Sequence, residues 1–354
     1  MNTSIAKGSA ALLLLGASFY GAIPALAQSK ADSPVAEVAL YQGANRLQKL
    51  MEGAKKEGEL TVYAVATDIS LVTDAFTKKY GIKVKTWRSA SENVLRRVLT
   101  EARARRFEVD IMENNPPEME AARREKMLQQ VNSPYHADLV PQAFPAHREW
   151  VGDSIAVFVQ AYNTDKIKKE ELPKTYQDLL NPKWKGRLGI DSGDHAWFAT
   201  LLEELGQEKG TKLFKAIVDA NGISVRSGHS LLTQMVASGE VPLGLTIYNH
   251  RPVQLKQKGA PIDWFLIPPV IAQLRGTAMI KNAPHPHAAV LFYDFMLGDA
   301  QQIFFQQHYM PASKKFDTPL TKVPLKFIDP EHSLDLNDKW MKAYEETITK
   351  RAGH

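Results

Sequence analysis

The feature that most constrains the fold is an alternation of short apolar runs with amphipathic runs, joined by connections of a few residues. "ELTVYAV" (59–65) reads as a buried strand, and "ISLVTDAFTKKYG" as a helix closed by Gly81. "IKVKTWR" (82–88), "SENVLRRVLTEARARR", "FEVDIMEN" and "PPEMEAARREKML" repeat the strand–helix order, the last opening on prolines suited to a helix N-terminus. This order predicts parallel βαβ units, because a parallel strand pair needs a crossover and the helix supplies it. Ligands of such sheets sit beyond the carboxyl ends of the strands, where helix N-termini point. The segments that fall there are 66–70, 88–91 and 113–117. Ser91 or Ser89 is expected to cap the helix after the second strand.

The same logic recurs downstream. "WVGDSIAVFVQAYNTDKI" (150–167) is an extended run long enough to cross between two lobes. "KGRLGID" (185–191), "GISVRS" (222–227) and "VPLGLTIY" read as strands. The first two are followed by the loops "SGDH" and "GHS" and then by helices. "IDWFLIP" (262–268) is a return crossing, and "PHPHAAVLFYDFMLGDAQQIFFQQH" reads as one long helix, with His285 and His287 at its solvent-facing start. An earlier helix in "NRLQKLMEGAKKEG" ends at Gly58, as a glycine C-cap should.

Residues 1–27 have the form of a secretory signal: Lys7, an apolar stretch, then Ala25-Leu26-Ala27, with cleavage expected after Ala27. Export to the periplasm without stable membrane insertion is the expectation. The chain has no cysteine, which excludes disulfides and a lipid anchor on cysteine. The 354 residues less these 27 exceed one comfortable core, so two lobes are expected. The formal charge of +5 is mild. The cluster Arg96, Arg97, Arg103, Arg105 and Arg106 shares its segment with Glu92 and Glu101, which reads as a solvated helix face rather than a nucleic-acid surface.

The segments "AKKEGELTVYA", "VTDAFTKKYGIKVK", "YNTDKI" with "LPKTYQDLLNPKWKGRLGI", "KNAPHPHAAVLFYDFML" and "MPAS", in that order, resemble the periplasmic solute-binding proteins of ABC importers, with the type 2 binding-protein fold. The resemblance spans nearly all of the mature chain. It points to the branch of ferric-ion binders and binders of phosphonate or phosphorylated solutes. It implies an α/β two-lobe architecture with two crossing hinge strands and an interlobe ligand cleft. The implied boundaries are 1–27 for the signal and 28–57 for a leader and N-terminal helix. Lobe one takes 58–158 and 268–316, lobe two takes 159–267, and a C-terminal helical segment at 317–354 packs on the lobes. It implies a small-molecule or ion ligand, the cognate permease and its ATPase as partners; the sequence itself carries no sign of an oligomer, so a monomer is expected.

Candidate ligand contacts follow from position. The first half offers Thr67, Asp68, Arg88, Ser89, Ser91, Glu113 and Asn114. The second offers Ser192, Gly193 and His195; Arg226, His229 and Ser230; and Tyr248, Asn249 and His250. The loop amides at 192–194 and Arg226 suit an anion, through a helix N-terminus and a bidentate guanidinium. Ser192 or Asp194 would otherwise cap the following helix, Ser230 would cap its own, and Arg226 would pair with a surface acid. Trp87 and Trp197 read as packing residues. The resemblance also implies that ferric relatives place two adjacent tyrosines where this chain has Asn249 and His250, and a histidine where it has Ala66, Thr67 and Asp68. If a metal is bound, the ligands would be Tyr248, His250, Glu113 and His229, with Fe3+ as cargo rather than cofactor.

The functional expectation is a non-catalytic receptor that closes two lobes over an anion-bearing organic or phosphorus-containing solute. A ferric-binding protein is the alternative. A metal-dependent hydrolase built on the histidines with Asp191, Asp194 or Glu113 is more remote, since no G-x-S-x-G, H-E-x-x-H or P-loop stretch occurs.

Overall fold

A computed structural model describes Met1 and residues 33–350; the expected signal and cleavage site lie outside the described residues. Two helices come first, α1 (Pro34–Leu40) and α2 (Arg46–Glu57). Gly58 ends α2 in the left-handed conformation at φ 76°, donating its amide to Ala54 O at 2.8 Å. Only a residue without Cβ takes that turn at no steric cost.

The first βαβ series is β1 (Glu59–Ala64), α3 (Ile69–Tyr80), β2 (Lys83–Arg88), α4 (Ser91–Arg103), β3 (Ile111–Asn114) and α5 (Pro116–Arg124). β1 pairs in parallel with both β2 and β3, as the alternation predicts. After β4 (Leu128–Gln129) the chain enters β5 (Val151–Asn163), buried along its whole length. The second series is β6 (Leu188–Asp191), α6 (His195–Leu205), α7 (Gln207–Asn221), β7 (Ser224–Arg226), α8 (His229–Ser238), β8 (Leu243–Tyr248) and α9 (His250–Gln257). β6 pairs in parallel with β7 and β8. The return runs through β9 (Ile262–Phe265) into β10 (Val270–Ile280). Last come α10 (Pro286–Leu297), α11 (Asp299–Gln306), β11 (Met310–Pro311), β12 (Leu325–Phe327), α12 (Pro330–Asp335) and α13 (Asn337–Tyr344).

β5 joins the two halves of the sheet. Its first part, to Val157, pairs antiparallel with β10 and β11, and its second part, from Phe158, pairs with β8 and β9. The second crossing lies between Phe265 and Val270. Buried Gln160 fixes it there, accepting from Ile267 N at 2.7 Å and donating to Leu245 O at 3.1 Å. A buried amide with both ends satisfied specifies one register at this junction.

Each half has its own core. Leu60, Val62 and Phe76 pack with α10 in the first, while Trp184, Trp197, Phe198 and Phe214 pack in the second. Trp197 is a packing residue, as expected, its ring 6.1 Å from that of Phe214. β12 adds to β10, while Trp340, Tyr344 and Ile348 are buried in the second core.

Several local expectations need correction. Ser91 is the first helical residue of α4, and Ala90 holds the cap position; neither Ser89 nor Ser91 accepts a capping bond. Ser230 lies inside α8, after Gly228 at the cap. The long helix at 286–306 breaks at Gly298 into α10 and α11. His285 and His287 face acids rather than water: Asp110 at 3.0 Å and Glu57 at 2.7 Å.

Candidate functional site

β8 passes into α9 through one residue. Asn249 already has helical torsions, φ −47° and ψ −37°, so Tyr248 and His250 leave the strand end and the helix start almost side by side. Asn249 does not face a ligand. Its Oδ1 accepts from Val157 N at 3.2 Å, and its Nδ2 donates to His308 O at 3.1 Å. It therefore clamps the junction to β5 and to the turn before β11.

That clamp builds a row of rings. His229 lies 4.0 Å from Tyr248 between centroids, Tyr248 is 6.2 Å from His250 with planes 13° apart, and His250 stacks on Tyr309 at 3.9 Å. The Tyr248 hydroxyl accepts from Gln273 Nε2 at 2.8 Å. Tyr309 donates its hydroxyl to the Asp68 carboxylate at 2.7 Å. His250 is 2 % exposed, and neither ring nitrogen has a hydrogen-bond partner. Buried polar atoms are nearly always satisfied, which makes these two nitrogens candidate ligand contacts.

Cations surround it. Arg275 Cζ lies 5.8 Å from the Tyr309 ring, and the nearest carboxylate oxygen to its Nε is Glu113 Oε1 at 3.8 Å, beyond hydrogen-bonding distance. Arg251 donates from Nη2 to Thr67 Oγ1 at 2.9 Å, while its Nε is buried without a partner. The acids nearby are already engaged. Glu113 Oε2 accepts from the amides of Val65 at 2.8 Å and Ala66 at 2.9 Å. Asp153 accepts from the hydroxyls of Ser154 and Thr277. Burial, with Glu113 beside it, pushes the Asp153 carboxyl up to about 7.

Burial first, then the guanidinium charges of Arg251 and Arg275, hold the His250 imidazole well below its ordinary pKa, so it is neutral. Burial also raises both phenols, Tyr248 and Tyr309. His229 behaves oppositely. Burial disfavours its charge, but Asp194 outweighs that and lifts the imidazole to about 9. A cavity of about 20 Å³, room for about one water molecule, lies on the first-half side against α3 and α11, lined by Asp68, Glu113, Asp153, Arg275 and Tyr309 and by no residue of β8 or α9. A larger cavity of about 350 Å³ lies between the starts of α4 and α5 and the α12–α13 segment, and Glu92, Glu118, Asp335 and Asp338 make it acidic.

Of the sequence candidates, Thr67, Asp68, Glu113, His229, Tyr248 and His250 come together. The others do not. Arg88 is exposed at the end of β2. Ser89 accepts from Asn93 Nδ2 at 3.1 Å, and Ser91 and Asn114 satisfy each other. His195 bonds Asn337 Oδ1 at 2.9 Å, so the three histidines do not converge. Ser192 donates its amide to Arg226 O at 2.8 Å, and the Gly193 amide goes to Asp191 Oδ1 at 2.8 Å rather than to an incoming anion. Arg226 turns to Met235 Sδ at 3.2 Å, with Glu240 at 3.9 Å. Ser230 is exposed.

Arg275, Tyr309, Gln273 and Asp153 have no counterpart among those candidates. The only local signal was a lone arginine and glutamine in "IAQLRGTAMI", an otherwise apolar strand, where a buried charge requires a partner or a ligand.

Comparison with known proteins bears on this arrangement. A family model described as bacterial extracellular solute-binding protein matches residues 71–324. The chain is 24% identical over 282 residues to an Fe(3+)-binding periplasmic protein of Serratia marcescens, covering 76% of this chain and 82% of that one. It is 26% identical over 263 residues to iron uptake protein A1 of Synechocystis, covering 70% and 72%. Iron-bound HitA from Pseudomonas aeruginosa superposes with a TM-score of 0.70 at 24% identity, covering 82% of this chain and 99% of that one. AfuA from Actinobacillus pleuropneumoniae, with fructose-6-phosphate bound, superposes with a TM-score of 0.70 at 22% identity, covering 83% and 99%.

Proposed function

The chain belongs to the bacterial extracellular solute-binding proteins, and from that premise we propose that it is the periplasmic receptor of an ABC importer for a small solute bearing a phosphate or carboxylate group. The observation that carries the anionic reading is His250, buried with both ring nitrogens unpartnered between guanidinium groups whose donors are not all used. A neutral imidazole presents one N–H, and Arg251 and Arg275 present more; an oxyanion accepts from all three. The acids close by are neutralised by amides, hydroxyls or Arg275, so they do not repel it strongly.

The receptor has no catalytic step in this reading. Solute binds to one wall, and the two crossing segments let the other wall close on it, since closure is favoured only by contacts made in the closed form. The Arg251–Thr67 bond and the His250–Tyr309 stack are such contacts. Delivery to a permease follows.

A second reading, ferric ion as cargo, is favoured by the two phenols that flank His250 and by the names of the relatives. Both phenols are held protonated by burial, and Tyr309 spends its proton on Asp68. Iron would have to displace those protons to gain phenolate ligands.

Calorimetry with fructose 6-phosphate, inorganic phosphate, citrate and ferric citrate separates the readings. We expect a phosphate- or carboxylate-bearing probe to bind wild type and to bind Arg275→Gln at least roughly tenfold more weakly, the loss of a charged hydrogen bond. Tight binding of iron alone, unchanged in Arg275→Gln, contradicts the proposal.

A further inference from the structure

A second constellation lies on the far side of Tyr248. Asp191 ends β6, Asp194 precedes α6, and His229 opens α8; one donor atom from each lies within 4.8 Å of the other two. Asp191 and Asp194 are buried, at 5 % and 6 % exposure.

The hydrogen bonds decide what this cluster needs. His229 Nδ1 lies 3.2 Å from Thr246 O, which can only accept, so the proton sits on Nδ1. His229 Nε2 then faces Asp194 Oδ1 at 3.3 Å, and a carboxylate also only accepts. Two acceptors do not face each other in a buried site unless a cation stands between them. A proton on Nε2 is one such cation and is the one present in the metal-free protein; at 3.3 Å the contact is longer than a tight charge-assisted bond of about 2.7–2.9 Å, which leaves room for a metal ion to replace that proton. Two donors each about 2.0–2.1 Å from a tetrahedral zinc ion stand about 3.3–3.4 Å apart, close to what is observed. Asp194 supplies an independent sign: its Oδ2 is buried and has no donor at all.

The surroundings match what metal ligands require. A ligating histidine commonly donates its other ring nitrogen to a backbone carbonyl, as Nδ1 does to Thr246. Ligating carboxylates are themselves held, and here Asp191 accepts from Gly193 N at 2.8 Å and Gly228 N at 2.6 Å. Each of its oxygens keeps a second lone pair.

We infer that Asp191, Asp194 and His229 form a divalent-metal site of the zinc class in the wall of the cleft. One nitrogen and two oxygen donors leave a fourth tetrahedral position open. The site meets the His250–Arg275 anion site only through His229, which packs on Tyr248, while Asp191 and Asp194 have no part in that site, so Asp194→Asn tests the metal without touching the anion contacts.

The test uses the mature chain, stripped with chelator and titrated with Zn2+ against a chromophoric competitor at pH 7.5. Wild type should take up one equivalent. Asp194→Asn and His229→Gln should each weaken binding roughly a hundredfold or more, while Ser230→Ala, exposed one residue away, should bind as wild type. Thermal melts of the metal-free variants check that they fold. X-ray absorption on zinc-loaded wild type, which needs no variant, should show a shell of nitrogen and oxygen at about 2.0–2.1 Å with one imidazole. No stoichiometric uptake by wild type overturns the assignment. Retained affinity in folded Asp194→Asn and His229→Gln overturns it, as does a spectrum with two or more imidazoles.

Discussion

His250 and His229 flank the same tyrosine and titrate in opposite directions, which makes their contributions separable by pH. The folded pKa of His250 lies below its unfolded value of about 6.5. As pH falls below that value, only the unfolded chain takes the proton, so stability is lost toward acid, by up to about 1.4 kcal/mol per pH unit. His250→Phe should flatten that part of the acid limb in thermal melts. In the metal-free protein His229 is raised to about 9, so its contribution is complete below about 6.5 and lost as pH rises through 9. His229→Gln should remove the alkaline loss. Glu120 is the structural counterpart: hydrogen bonds from His147, Arg123 and Trp150 overcome its burial and hold it at about 2. Its contribution is present above about 4.5 and is lost as pH falls toward 2. Glu120→Gln should cost about 2–4 kcal/mol at pH 7 by denaturant titration. A destabilisation that persists unchanged at pH 3 contradicts that origin.

At the level of elements, the junction between β8 and α9 depends on Asn249, which bonds β5 on one side and His308 on the other. Asn249→Ala should cost about 1–3 kcal/mol, seen as a lower denaturation midpoint with unchanged m, and should weaken solute binding although Asn249 touches no solute. The strand–helix units were legible in the sequence because each is local: "ELTVYAV" and "GLTIY" carry their periodicity within six or seven residues. Tyr248 and His250 were legible for the same reason, as the polar end of an apolar strand. Arg275 and Tyr309 were not, because what brings them to His250 is antiparallel pairing of β10 and β11 with β5, across more than a hundred residues of chain. Arg226 and Ser192 failed for a different reason. The loop amides of Ser192 and Gly193 are spent on Arg226 O and Asp191, and the Arg226 guanidinium turns to Val225 O, Met235 and Glu240, so groups that look free in sequence are already engaged.

For the whole molecule, two α/β halves are joined by β5 and by the return through 265–270, and the described contacts bring the walls together around His250. His250 is 2 % exposed beneath the Tyr309 ring, so the walls must part to admit an organic solute to it. Solution scattering should show the radius of gyration decrease when a saturating, calorimetrically confirmed solute is added; an unchanged profile contradicts closure. Native mass spectrometry with elemental analysis, on protein taken from the periplasm without refolding, tests the central claim most directly. The account predicts a small organic or phosphorus-containing anion bound one to one, with no stoichiometric iron. One equivalent of iron, together with a visible tyrosinate charge-transfer band that disappears in Tyr248→Phe, would contradict it.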